Sequence, residues 1–487
     1  MTSSLERILF RACAAIMLGL AQMASAIEAD APVLVSHTPD GQPTTGICYG
    51  PRLSHTGRFT SFSCMAFDVI YGEPGVGDAL LHDDQDDSII GLSYTDQGEW
   101  GHCNGGELGA CSSGSIAVSD DGSLAVLNSS APLTEDSPHP TPDHGFPNVY
   151  LRDTVDQTTT WLTPPMPPLP TYNTPRALDA SMERSEILMR AQNNYTGDPD
   201  TNGDTPDVFA LNWETGEAEL ISATPNGQQG EGGGGTGAFS PDGRYVVFGT
   251  SASDLTNDNP QRLHNLFLRD RVTQTTRRLT FPWNGGEFTA QPYFSPQLKI
   301  TRDNRYVVFS AAGVRFTEDD DPVYGGIYEI DLQTGTTRKI PLTASGDPPN
   351  APAGRPALSE DGRFLAFLSS ATNLTNEPGP VPAVFVQDRW TGETVNVSAS
   401  LGTQPSDWST NIAISADGST VAFEWAKWSA TNPNLLSNQQ IYKVRLRGDP
   451  PPAQAVPVPT HSHSMLGVLA ALLGIGSMLL LRSRRTH

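Results

Sequence analysis

The chain has 487 residues, with 54 acidic against 30 basic side chains and a formal charge of −24. Its 46 Gly and 40 Pro exceed the ordinary share but fall short of low-complexity disorder, and 37% hydrophobic residues suffice for a buried core. The acidic balance excludes a general nucleic-acid binder, which needs a basic stripe to release phosphate counterions.

Residues 1–26 read as a secretory signal. Arg7 and Arg11 precede the apolar stretch Ala12 to Met23, and Ala24-Ser25-Ala26 supplies a small-x-small cleavage pattern. The mature chain then begins near Ile27 and meets an oxidising compartment. Four cysteines remain there, Cys48, Cys64, Cys103 and Cys111. An even number in an exported chain points to two disulfides, with three connectivities open; Cys48–Cys64 and Cys103–Cys111 are favoured because Cys48 and Cys64 flank one predicted hairpin.

From Ser54 to Leu446 one pattern recurs. Its clearest copy is Ala238-Phe239-Ser240-Pro241-Asp242-Gly243-Arg244-Tyr245-Val246-Val247-Phe248, followed by Asn265-Leu266-Phe267-Leu268-Arg269-Asp270 and Thr276-Arg277-Arg278-Leu279-Thr280. The turn recurs at Ser54, Ser119, Ser181, Ser240, Thr301, Ser359 and Ser415, at intervals between 56 and 65 residues. The third copy, Ser181-Met182-Glu183-Arg184-Ser185, lacks the glycine. Each copy reads as four short strands: Asp-Gly marks a tight turn, and runs such as Tyr245 to Phe248 are β-branched or aromatic and too short for helices. Four-stranded units that cannot bury both faces alone predict an all-β, seven-bladed β-propeller over residues 27–447. The last copy stops before a fourth strand at Leu446, and an orphan segment, Val33 to Gly41, stands at the mature N-terminus. That segment is expected to complete the final blade and close the ring.

The Ser-Pro-Asp-Gly-Arg turn and the Phe-x-x-Asp-x-x-Thr-Gly pattern resemble the WD40-like propeller repeats of TolB-type proteins, over about 400 residues. The resemblance implies a scaffold fold used for binding, in periplasmic components and as peptidase caps. The separate α/β domain of TolB has no room here, and no Gly-x-Ser-x-Gly elbow of a hydrolase is present.

Beyond the repeats, residues 448–464 form a Pro-rich linker and 465–481 an uncharged apolar segment, about 26 Å long as a helix. Arg482, Arg484 and Arg485 follow, in the basic tail 482–487. A single transmembrane helix of this orientation keeps the tail in the cytoplasm. The order of motif, apolar helix and arginine cluster resembles the C-terminal sorting signals of Gram-negative bacteria, the PEP-CTERM and IPTL-CTERM types. Val458, Pro459 and Thr460 stand in the motif, and His461 departs from it. The resemblance implies an exosortase-type sorting protease as partner and delivery from the inner membrane to the cell surface; a permanent anchor is the alternative.

The turns between the first and second and between the third and fourth strands of a blade share one face, and are short here. The second-to-third and interblade loops share the other, and the longer ones, 227–237, 251–263 and 310–326, make that face the binding candidate. There Asp198, Asp200, Asn202 and Asp204 space oxygen ligands as calcium loops do, although Phe209 occupies the closing position; capping of turns explains the same residues. Glu318 to Asp321 reads as a solvated acidic loop. Trp100, Trp283 and Trp408 sit in interblade loops and offer rings for stacking on a sugar or a peptide, or serve as packing anchors. No HExxH, P-loop or catalytic Cys–His pairing is legible. The sequence therefore leaves a binding scaffold with a protein or glycan ligand, a glycan-active hydrolase or lyase using carboxylates, or a structural envelope component.

Overall fold

A computed structural model describes residues 27–447 apart from 66–67, 71–77, 102–111, 138–147, 165–174, 193, 204, 321–324, 341, 344–347, 376–381, 403–410 and 429–435. Residues 1–26, where a leader is expected, and 448–464, 465–481 and 482–487, where a linker, an apolar helix and a basic tail are expected, lie outside the described residues. Among those described, no helix is long and apolar enough to cross a membrane.

Seven antiparallel sheets follow one another along the chain: blade 1 over 47–91, blade 2 over 113–161, blade 3 over 176–220, blade 4 over 234–278, blade 5 over 293–339, blade 6 over 353–396 and blade 7 over 412–447. In blades 1 to 6 the four strands pair in sequence order, and the first strands of neighbouring blades lie side by side around a central axis. The protein is a seven-bladed propeller of four-stranded blades.

Its core is distributed. Seven buried apolar clusters occupy the described residues, one between each pair of adjacent blades. The alternation of a β-strand explains this, because successive side chains point to opposite faces and both faces of a blade are covered. On the second strand of blade 4, Val246 and Phe248 pack toward blade 3 while Val247 packs toward blade 5.

The N-terminal segment closes the ring. Glu28 and Ala29 pair with Arg447 and Leu446, and Val33 and Leu34 with Lys443 and Tyr442, all antiparallel. Val35 N–H then donates to Ile441 O at 2.8 Å. Blade 7 is thereby completed by the first described residues of the chain.

The repeated turn is accounted for letter by letter. Its opening hydroxyl accepts the N–H five residues on, as at Ser119, Ser240, Thr301, Ser359 and Ser415, with distances of 2.9–3.0 Å. The same hydroxyl donates to the Asp two residues on, at 2.6–2.7 Å. A left-handed residue follows, glycine in five turns; in the third copy Ser185 takes φ 54 and in the fifth Asn304 takes φ 57. The arginine after it reaches the Asp ending the third strand, as in Arg58–Asp83 at 2.7 Å, Arg244–Asp270 at 2.8 Å, Arg305–Asp331 at 3.0 Å and Arg363–Asp388 at 2.8 Å. Each of these guanidinium groups also lies 4.5–4.9 Å from the centroid of the aromatic residue that follows it. In these four blades the repeat signature is thus a staple across the short-turn face.

The turn glycines also meet the blade before them. At Gly122, φ 72, an added Cβ would lie 2.4 Å from the Phe59 ring, whereas at Gly216, φ 73, it would meet nothing within 4 Å. Gly216→Ala is therefore expected to cost about 1 kcal/mol, the left-handed penalty alone, and Gly122→Ala at least ~2 kcal/mol, because the junction must also open. Urea unfolding of the two variants checks the difference.

Candidate functional site

The long-loop face is held by a second recurring device. At the end of the outer strand a buried hydroxyl accepts the N–H of the second residue in the third strand: Ser93 from Ala79 at 3.2 Å, Thr163 from Val149 at 3.1 Å, Ser222 from Val208 at 3.1 Å, Thr280 from Leu266 at 3.1 Å and Ser398 from Val384 at 3.0 Å. Ser36 does the same for Ile441 at 2.9 Å, so the closing strand carries the device too. Loops on this face spring from a fixed frame.

Strand boundaries shorten two of the expected loops. Gly234–Phe239 and Tyr306–Ala312 are strands, so the segments drawn as 227–237 and 310–326 begin or end inside blades. In the acidic run at 318–321, Glu318 and Asp319 are exposed as expected of a solvated loop, but Asp320 is not. Asp320 is buried, pairs with Lys339 at 3.1 Å and accepts the N–H groups of Phe316 and Thr317, both at 2.9 Å. It caps the turn from within; Asp321 lies outside the described residues.

In the 198–204 loop Asp200 Oδ1 accepts the N–H groups of Asn202 and Gly203 at 3.1 and 3.2 Å, and Asp198 Oδ2 accepts the hydroxyl of Thr196 at 3.1 Å. Asn202 turns its amide inward, donating to Asp207 at 2.9 Å and to Gly230 O at 2.7 Å. Asp204 lies outside the described residues, and Phe209 is fully buried between blades 2 and 3. The carboxylate that anchors the loop is Asp207, 0% exposed, which also accepts from Ser222 at 2.7 Å and Gln229 at 2.8 Å. Only neutral donors face it. Burial pushes its carboxyl up to about 6, against the opposing effect of these hydrogen bonds.

That shift has a testable sign. Between pH 3.8 and about 6 the folded protein holds a proton on Asp207 that the unfolded chain releases, so this group's contribution to stability falls as pH rises through that window and levels above it. Relative to Asp207→Asn, the natural protein should gain about 2–3 kcal/mol on going from pH 7 to pH 4. Urea midpoints of both proteins across that range check it, the comparison cancelling carboxylates such as Asp121 and Asp270, both held down to about 2 and titrating in the opposite sense.

The three tryptophans part ways. Trp100 is 6% exposed and stacks on Tyr94 with centroids 4.2 Å apart, inside the cluster between blades 7 and 1. It is a packing anchor, and the expectation of a stacking platform is corrected there, because the hairpin from Tyr94 to Trp100 folds the indole inward. Trp408 lies outside the described residues. Trp283 is 46% exposed, and on the same segment joining blade 4 to blade 5 stand Phe281 at 37% and Tyr293 at 68%. The exposure of Phe281 and Tyr293 was not legible in the sequence, since each reads as an ordinary strand-flanking aromatic.

The axial side carries charge of the opposite sign to the chain as a whole. The first strands of six blades are bulged, with register shifts such as Tyr49/Arg52, Ala177/Asp179 and Gly354/Ala357. Prolines 51, 296 and 356 fall inside three of these bulges, where a missing N–H is tolerated. The inner strands bring Arg52, Arg176 and Arg355 with Asp179 and the buried Glu424. Burial lowers the Arg52 guanidinium, Arg176 adds to that by like charge, and Asp179 and Glu424 oppose it. Burial raises the Glu424 carboxyl, which accepts from Gly50 N–H and Asn411 Nδ2, both at 2.6 Å. Arg355 holds φ 55, a strained conformation for a non-glycine residue on a wall of the axis.

Cys48 and Cys64 face each other across the first two strands of blade 1 and are bonded. Cys103 and Cys111 lie outside the described residues.

No protein-family model matches the sequence, and no curated protein is similar to it in sequence. Solved structures are similar to it in fold only. An oligogalacturonate lyase from Vibrio parahaemolyticus is 12% identical with a TM-score of 0.49, covering 86% of this chain and 96% of its own. TolB from Acinetobacter baumannii is 14% identical with a TM-score of 0.38, covering 84% and 80%. The β-propeller domain of the Trilobed protease from Pyrococcus furiosus is 9% identical with a TM-score of 0.47, covering 83% and 96%. No residue role is carried over from any of them.

Proposed function

We propose that this chain is an exported, cell-surface-destined binding scaffold that engages a protein or glycan through the long-loop face between blades 4 and 5. The observation that carries this is the segment 281–293, which presents Phe281, Trp283 and Tyr293 to solvent from a framework whose other large aromatics are mostly buried. Aromatic rings held on a rigid element lose little entropy on binding and dominate contact energies. Export is supported by the leader pattern at 1–26 and by the Cys48–Cys64 bond, which belongs to an oxidising compartment. Surface delivery by an exosortase-type protease rests on Val458, Pro459, Thr460 and the arginines at 482, 484 and 485.

Screening the exported protein against glycan and peptide arrays tests the reading. Saturable binding weakened at least tenfold by Trp283→Ala and Tyr293→Ala, with unchanged unfolding midpoints, is expected. Turnover of a glycan by the same preparation would move the protein to the enzymes, and binding indifferent to both substitutions would move the site elsewhere.

A further inference from the structure

Aligning the blades brings out a departure at one junction. In blades 2 and 4 the fifth residue of the third strand is Arg152 or Arg269, and its Nη1 donates to the carbonyl of a left-handed turn residue, Gln157 at 3.0 Å or Gln274 at 2.8 Å. Tyr94 leans on Arg152 from the blade before, the guanidinium 5.7 Å from the ring centroid. Where blade 7 meets blade 1 all three places change chemistry. His82 stands at the arginine position, Asp87, φ 59, at the left-handed one, and His37 of the closing segment at the place of Tyr94.

The two imidazoles converge on one oxygen. His82 Nε2 lies 2.9 Å and His37 Nε2 3.3 Å from Asp87 Oδ1, and one atom from each of the three residues fits within 4.8 Å of the others. The far nitrogen of His37 fixes its tautomer. His37 Nδ1 faces Thr38 O at 2.8 Å, an acceptor only, so the proton sits on Nδ1 and the lone pair of the neutral ring on Nε2 points at Asp87. His82 Nδ1 faces Asp84 Oδ1 at 3.4 Å, and Asp84 is held in turn by Lys443 at 2.7 Å. His37, which donates its outer N–H to a carbonyl and aims its other nitrogen at the point it shares with His82, has the arrangement of a metal-ligating histidine.

We infer that His37, His82 and Asp87 bind a borderline divalent transition-metal cation of the zinc class. Ligand atoms on a tetrahedral zinc with bonds near 2.0–2.1 Å stand about 3.3 Å apart, so the trio needs only small side-chain shifts. His37 and His82 are 8% and 4% exposed, while the Asp87 side chain is 73% exposed, which leaves the cation an entry path and an open position for water or an external ligand. The site clasps the closing segment to blade 1, joining residues 45 positions apart in sequence at the point where the ring is sealed.

The full exported protein, stripped with a chelator and titrated with zinc alone by calorimetry, tests this. One equivalent of zinc, a raised unfolding midpoint, and at least tenfold weaker binding in both Asp87→Asn and His37→Gln are expected. Asp87→Asn keeps the exposed left-handed turn and so separates ligation from folding. A cobalt-loaded sample should show nitrogen and oxygen ligation; a thiolate charge-transfer band would assign the cation to Cys103 and Cys111 and overturn the site. Absence of saturable binding, or binding unchanged in both variants, overturns it equally.

Discussion

A Val35→Asp protein is expected to lose its single cooperative unfolding transition, while Val33→Asp is expected to unfold as the natural protein does. Val35 is 1% exposed, packed with Cys48, Phe62 and Ile441 between blades 7 and 1, whereas Val33 is 64% exposed on the same closing segment. A buried carboxylate without a partner costs at least ~4 kcal/mol here, a large part of the roughly 5–15 kcal/mol that holds a domain together. The loss reaches beyond one residue. Once the closing strand leaves, Ser36 no longer accepts from Ile441, Lys443 and Tyr442 lose their strand partners Val33 and Leu34, and blade 7 presents an open edge. Urea unfolding followed by both tryptophan fluorescence and far-UV circular dichroism decides it: coincident single transitions for Val35→Asp would refute the claim that closure governs cooperativity.

The second large effect is expected at Asp388. Its carboxylate is fully buried and takes two hydrogen bonds from Arg363, at 3.0 and 2.8 Å, while its other oxygen accepts Trp390 N–H at 2.9 Å. Arg363 is itself 8% exposed, wedged between Phe364 and Trp390. Asp388→Ala takes the paired carboxylate away from that buried guanidinium, which costs about 3–5 kcal/mol. The same substitution at Asp331, whose partner Arg305 has 41% of its side chain in solvent, should cost far less, because water replaces the lost carboxylate. Thermal midpoints of the two variants compare one motif at two depths; equal losses would mean that the turn caps, and not the ion pair, set the energy.

The ring was legible because its signals are local and repeated. Ser-x-Asp-Gly turns and strands such as Tyr245 to Phe248 each carry their own geometry, and a copy without its outer strand left only the orphan at Val33 to fill the gap. The Arg–Asp staple was half visible, as the recurring arginine after glycine and the aspartate ending the third strand, but nothing in a linear reading says that those positions face each other. The clasp residues were invisible for a different reason. His82 and Asp87 share one turn of blade 1, but His37 reaches them only through closure, so only alignment of copies, with His82 falling where Arg152 and Arg269 stand, could have drawn attention to them. Burial misled twice. Trp100 reads as a loop aromatic and Asp320 as part of an acidic loop, yet each turns inward, because a hairpin and a capped turn fold them under the surface.

Because the closing segment pairs with the last strand out to Arg447 and the strand before it pairs out to Arg445, the last strand of the ring has neighbours on both sides nearly to its end. Tension applied at residue 447 therefore runs along a strand gripped between two others and must shear many bonds together, where an unflanked edge would peel them one at a time. A propeller sewn in this way is suited to being hung by its carboxyl end, and a force trace taken there should show one abrupt rupture in place of a staircase.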